Sequence, residues 1–208
     1  ITEITKGQLL VWRLGVLKNE GKATAAQISM AKRNSCEIAL DIARNARQIR
    51  DAVMAMDLGP GAPRLVLVGY SKGTPDVLEA IVGYPEIRER VAAVLSVAGA
   101  VGGSPLANDS EQYQADMLRH FPGATCGSGD GGAVESLRPA TRQAWLANNP
   151  LPSDVRYYSL ATFPQPERIS SILKSSSEKL AQVDSRNDSQ VIFYDQVVPG
   201  STLIGYLN

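Results

Sequence analysis

Apolar positions along the chain change period several times, and each change marks an element. Residues 8–16 (QLLVWRLGV) form a strand-like apolar run, followed by a polar stretch through Thr24. From about Ala25 to Met56 the residues favour helix, and Ile38, Ile42, Ile49 and Val53 are spaced for one buried face. Gly59-Pro60-Gly61-Ala62-Pro63 breaks that pattern. Arg64-Leu65-Val66-Leu67-Val68 then runs without polar alternation, as expected of a strand covered on both faces in a parallel sheet. Helical spacing resumes after Gly73, with Val77, Leu78, Ile81 and Val82 on one face, and a second buried run spans residues 91–98. Strand, helix, strand in this order predicts a βαβ crossover and an α/β fold.

Between Gly99 and Pro152 the pattern loosens into Gly, Ser and Pro loops around modest helices near Glu111–Arg119 and Pro139–Ala147. This excursion is too long for an ordinary connection, so residues 99–152 are expected to form a cap-like insertion over a pocket. The sheet is expected to resume at Val155–Ala161, to be interrupted by a polar helix near Pro166–Val183, and to end with Val191–Tyr194 and Thr202–Leu207. The whole of residues 1–208 is expected to be one domain, a mostly parallel sheet flanked by helices. Parts of that domain are expected to lie before Ile1 and after Asn208.

Composition narrows the function classes. The 208 residues carry no net charge, with 44% hydrophobic and 20% charged positions, ordinary values for one globular domain. That balance argues against a nucleic-acid or polybasic membrane partner, which would need a clustered cationic surface. No apolar run approaches the roughly 20 residues of a membrane-spanning helix. Cys36 and Cys126 are read as unrelated free thiols, and without a CxxC or a Cys/His cluster no metal site is expected. Ser128-Gly129-Asp130-Gly131-Gly132 lacks the alternating oxygen ligands of a calcium loop and reads as a turn.

Chemistry concentrates at Gly69-Tyr70-Ser71-Lys72-Gly73, a G-x-S-x-G pattern between the strand ending at Val68 and the next helix. A serine hydroxyl is a poor nucleophile and must be presented to a base without its own backbone in the way. A tight strand-to-helix turn does this by holding the serine in a strained conformation, with small residues around it to avoid clashes. The helix N-terminus beneath supplies a positive dipole end, and the Lys72 backbone N–H is placed to donate into an oxyanion hole. The competing readings are a plain Gly-rich turn or a phosphate loop, but G-x-x-x-x-G-K-[ST] is absent. A Ser71–Lys72 dyad is disfavoured because adjacent side chains on such a turn point apart.

Beyond the motif, LVLVGYSKGTPDVLEAI, VLSVAGAVGGSPLAND, SLRPATRQAW, NDSQV and VVPGS resemble bacterial α/β-hydrolase-fold esterases and lipases. The resemblance covers most of residues 64–208 and is strongest around Ser71. It implies an α/β-hydrolase fold, a Ser–acid–His triad, carboxylic ester hydrolysis through an acyl-enzyme, and no cofactor. The implied substrate is a small-molecule or lipid ester. Alternatives are an acyltransferase or thioesterase on the same fold, or a non-catalytic binding member.

Two aspartates compete for the acid. Asp188, in Asn187-Asp188-Ser189-Gln190-Val191, resembles the Asn-Asp-Gly-x-Val stretch of lipases with serine replacing glycine. Asp195 follows the apolar run 191–194. After Asp188 the chain is expected to descend to a turn at Pro199-Gly200 before the last strand rises, which puts Asp195 partway down and favours Asp188. His120, the single histidine, lies inside the insertion and is disfavoured as the base; the resembling families place theirs just beyond the last strand, which implies a histidine just past Asn208. A first oxyanion donor is expected before Ile1. Residues 99–105 (GAVGGSP) suit either a loop at the site mouth or a connector, and Trp12 and Trp145 are expected to pack a core or cap.

Overall fold

A computed structural model describes residues 46–59, 61–109 and 136–208. Within them lie helices α1 (Ala46–Ala55), α2 (Gly73–Gly83), α3 (Pro139–Asn148) and α4 (Lys174–Ala181). Strands β1 (Leu65–Tyr70), β2 (Val91–Val97), β3 (Arg156–Thr162) and β4 (Thr202–Leu207) pair in chain order, all parallel. This is the expected parallel sheet with helical crossovers. The run 8–16, Trp12, Cys36, the 111–119 helix, His120, Cys126 and the 128–132 turn lie outside the described residues.

The apolar spacing packs α1 and α2 against one face of the sheet. Ile49 and Val53 of α1 and Val77, Leu78, Ala80 and Ile81 of α2 join Val91, Val94, Val155 and Val198 in one core. On β1 only alternate positions face it. Val66, Val68 and Tyr70 are 57%, 55% and 69% exposed, so this strand is not covered on both faces by the described residues.

Two sequence-based expectations change. The polar helix at 166–183 shrinks to α4, preceded by short 3-10 turns at Pro166–Arg168 and Ser171–Leu173. Residues 191–194 do not form a strand; Ile192 makes one isolated bridge to Asn187, and a 3-10 turn follows at Phe193–Gln196. The cause is polar: Asp188 and Gln196 side chains take up backbone groups that a strand ladder would have used.

Neither α1 nor α2 has a basic residue in its last turn. The 3-10 turn Pro85–Arg90 supplies the missing cations instead. Arg88 donates to the Ile81 and Val82 carbonyls (both 2.8 Å), and Arg90 to those of Val53 (2.7 Å), Met54 (3.0 Å) and Met56 (3.2 Å). Cationic donors at carbonyls without an intrahelical partner are favourable through both hydrogen bonding and the helix dipole. Arg90→Met is therefore expected to cost about 1–2 kcal/mol, read as a lower urea midpoint at unchanged slope. An unchanged midpoint would show that the α1 terminus does not need this cap.

Candidate active site

The chain leaves β1 at Tyr70 and enters α2 at Gly73, so the reversal is carried by Ser71 and Lys72. Ser71 sits at φ 51°, in the left-handed region, where a residue with a Cβ is strained. Surrounding contacts hold it there. Its N–H donates to the Val97 carbonyl at the end of β2 (3.1 Å), and its own carbonyl accepts from Thr74 (3.1 Å) and Ala100 (3.0 Å).

The two motif glycines do different work. A Cβ on Gly69 would lie 2.5 Å from the Thr74 Cα, closer than backbone atoms tolerate, so only glycine lets α2 start this near β1. Thr74 Oγ1 fastens that approach by donating to the Gly69 carbonyl at 2.9 Å. Around Gly73, by contrast, a Cβ would meet nothing within 4 Å. The expectation that both flanks must be side-chain-free thus holds for Gly69 and not for Gly73.

Lys72 has helical angles (φ −58°, ψ −27°) and caps α2, so its amide is among the first of the helix, which have no intrahelical carbonyl to reach. Its side chain turns along the helix, with Nζ 2.7 and 2.9 Å from the two Asp76 carboxylate oxygens. The ammonium is engaged there, which removes the ground for a Ser–Lys dyad.

Asp188 lies at the C-terminal end of β3. One carboxylate oxygen accepts from the Gln190 (2.9 Å) and Val191 (2.7 Å) amides, and the other from Thr162 Oγ1 (3.1 Å). Burial pushes this carboxyl above its ordinary value, while those three donors pull the other way. Ser189 follows at φ 76°, which accounts for glycine being the commoner residue in the stretch it resembles.

Asp195 is not partway down the sheet, which corrects the reach argument. Gln196 next to it is fully buried and its side-chain amide brackets Thr162 at the top of β3, accepting from the Thr162 N–H (2.6 Å) and donating to the Thr162 carbonyl (2.8 Å). Val198 is already level with mid-strand Ser159, whose Oγ accepts its N–H at 3.0 Å. Pro199 and Gly200 line a cleft with Val155 and Arg156 at the opposite edge of the sheet. The descent is therefore confined to residues after Gln196, and Asp195 stays at the same edge as Asp188.

The Asp195 carbonyl accepts from the Gly102 amide (2.9 Å), and its carboxylate occupies the space a Cβ on Gly102 would fill. Burial alone raises this carboxyl, with no hydrogen bond among the described residues to oppose it. Sequence reasoning missed Gln196, Thr162 and Thr74, since isolated polar residues carry no motif. A signal existed for Gln196 only in its place beside an aspartate. Among the described residues no cluster of His, Cys, Asp or Glu could hold a metal ion, and no helix is long and apolar enough to cross a membrane.

No family model matches the chain. The structure of a metagenomic carboxyl esterase superposes with a TM-score of 0.69 at 44% identity, over 79% of this chain and 49% of that one. A Bacillus licheniformis lipase in its mature form gives 0.59 at 20% identity, over 78% and 63% of the two chains. Its propeptide form gives 0.57 at 22%, over 76% and 33%. At these identities the lipase likeness shows the fold alone. The chain spans about half the length of the esterase (49%). Over 79% of its length this chain is similar to a carboxyl esterase at 44% identity, and with the lipase it shares the α/β-hydrolase fold.

Proposed function

We propose that this chain carries most of the active site of a serine hydrolase that cleaves carboxylic esters through an acyl-enzyme. The observation that carries the reading is Ser71 at φ 51° on the turn between β1 and α2, above the first amides of the helix. In this reading the turn is a nucleophile elbow. Ser71 Oγ attacks the ester carbonyl carbon, and the Lys72 N–H donates to the oxygen as it becomes negative. The alcohol leaves with the proton that the base took from Ser71, and water then releases the acid by the same steps in reverse order. Homology to a carboxyl esterase at 44% identity supports the substrate class.

For the acid, both Asp188 and Asp195 stand at the edge where the turn lies. We assign it to Asp195, whose carboxylate has no hydrogen-bond donor among the described residues and so keeps its oxygens for an imidazole N–H. Asp188 remains the second reading, favoured by its contact with Thr162 beside the end of β4. The base is proposed to be a histidine following Asn208. The Leu207 carbonyl accepts from Phe163 (2.9 Å), so the chain leaves β4 at this same edge. Residues 99–152 are proposed to cap the site. The described part of them already touches it, through Ala100 on Ser71 and Gly102 on Asp195.

A fluorophosphonate probe on the full-length protein tests the assignment. Labelling is expected on Ser71 and is lost in Ser71→Ala; absence of labelling in the unmutated protein would sink the reading. Asp195→Asn should slow labelling by a factor of about 10²–10⁴, and Asp188→Asn by less than tenfold. The reverse order would make Asp188 the acid.

The motif glycines give a second check. Gly69→Ala should slow Ser71 labelling and lower stability by about 1–3 kcal/mol, whereas Gly73→Ala should do neither. Equal effects would contradict the packing described here.

A further inference from the structure

Arg142 is 1% exposed, the largest fully buried side chain among the described residues, and no step above uses it. It projects from α3 towards three charges on α2, of which Asp76 is buried and Lys72 and Glu79 are partly exposed. Lys72, Asp76 and Glu79 recur at helical spacing along one face, with Lys72 Nζ 2.7 Å from Asp76 and an Arg142 Nη 3.4 Å from Glu79. The Arg142 guanidinium lies 4.6 Å from the centre of the Trp145 ring. Two cations and two anions thus alternate. Burial raises the carboxyls of Asp76 and Glu79 and lowers Arg142, and the opposite charges counter it.

The shorter of its contacts is not to a charge. Arg142 Nε donates to the Val101 carbonyl at 3.1 Å. Val101 lies in a loop whose alternate amides each reach a different segment: Ala98 to Leu160 (2.8 Å), Ala100 to Ser71 (3.0 Å), Gly102 to Asp195 (2.9 Å) and Ser104 to Leu137 (2.8 Å). The Val101 carbonyl therefore sits between the amide that holds Ser71 and the amide that holds Asp195. A shift of this carbonyl moves the Gly102 amide directly, because the two belong to one planar peptide, and reaches the Ala100 amide through the dihedrals of Val101 and Ala100.

We infer that Arg142 is a positioning residue for ester hydrolysis: by holding the Val101 carbonyl it fixes the spacing between Ser71 and Asp195. The inference rests on the Ser71 and Asp195 reading given above. Its ion pair with Glu79 is a separate matter, since the Glu79 side chain is partly exposed and such a pair adds little to stability. The donor atom is the essential part.

Two substitutions separate donor from charge. Arg142→Gln places an amide N–H where Nε now lies, and Arg142→Met places a methyl there; both remove the charge. On the full-length protein, with folding checked by unfolding midpoint, Arg142→Met should lower kcat for a p-nitrophenyl ester and the rate of Ser71 phosphonylation at least tenfold, with KM within twofold. Arg142→Gln should hold both rates within threefold of wild type. Equal rates for the two folded variants would overturn the inference. So would a folded Arg142→Gln with kcat down tenfold, a result that stands even where Arg142→Met fails to fold. If the unmutated protein leaves Ser71 unlabelled, the Ser71 reading itself fails and takes this inference with it.

Discussion

The approach of α2 to β1 at Gly69 is the constraint on which the site depends. A Cβ there would lie 2.5 Å from the Thr74 Cα, and the Thr74 hydroxyl uses the room glycine leaves to reach the Gly69 carbonyl. With helix and strand this close, the intervening residues must reverse direction in two positions. Ser71 absorbs the reversal at φ 51°. A left-handed conformation costs about 1–2 kcal/mol for a residue with a Cβ, so it persists where the surroundings over-determine it. Here they do: β2 accepts the Ser71 amide, and two amides donate to its carbonyl. The strain is one observation and its support another; together they motivate the functional reading.

The second organising feature is the loop after β2. Its amides fasten in turn to β3, the Ser71 turn, Asp195 and the segment before α3. Each amide comes from a residue with a small side chain, and the fastening is done by backbone except at Ser104, whose hydroxyl also donates to the Gln190 carbonyl. That suits a place where several segments converge, because main-chain groups can approach more closely than side chains allow. Gly102 shows the same economy, with the Asp195 carboxylate in the space its missing Cβ leaves.

How much of this could be read from the sequence varied with the kind of interaction. The β1–α2–β2 unit was legible because burial imposes periodicity, and Val77, Leu78 and Ile81 lie inside as their spacing required. Ser71 was legible because its turn needs a short motif. Residues 191–194 were not. Their apolar run suggested a strand, but buried Gln196 and the carboxylate of Asp188 captured the backbone groups in place of a ladder. Those are long-range polar contacts, from residue 196 back to residue 162, and hydrophobic pattern is blind to them. The misplacement of Asp195 followed directly, since an assumed strand rise converted sequence distance into height. Arg142 was hidden for a related reason: a buried arginine looks in sequence like any surface arginine of a helix.

The central claim is that Ser71 forms the covalent intermediate of ester cleavage, and trapping that intermediate tests it most directly. Full-length protein mixed with an activated ester, quenched in acid within the first turnover and mapped by peptide mass, reports where the acyl group resides. The account predicts one acyl group, on the peptide that contains Ser71, appearing before steady turnover and decaying with it. Ester hydrolysis with the acyl group on another residue, or with no acyl-peptide at any time, would contradict it.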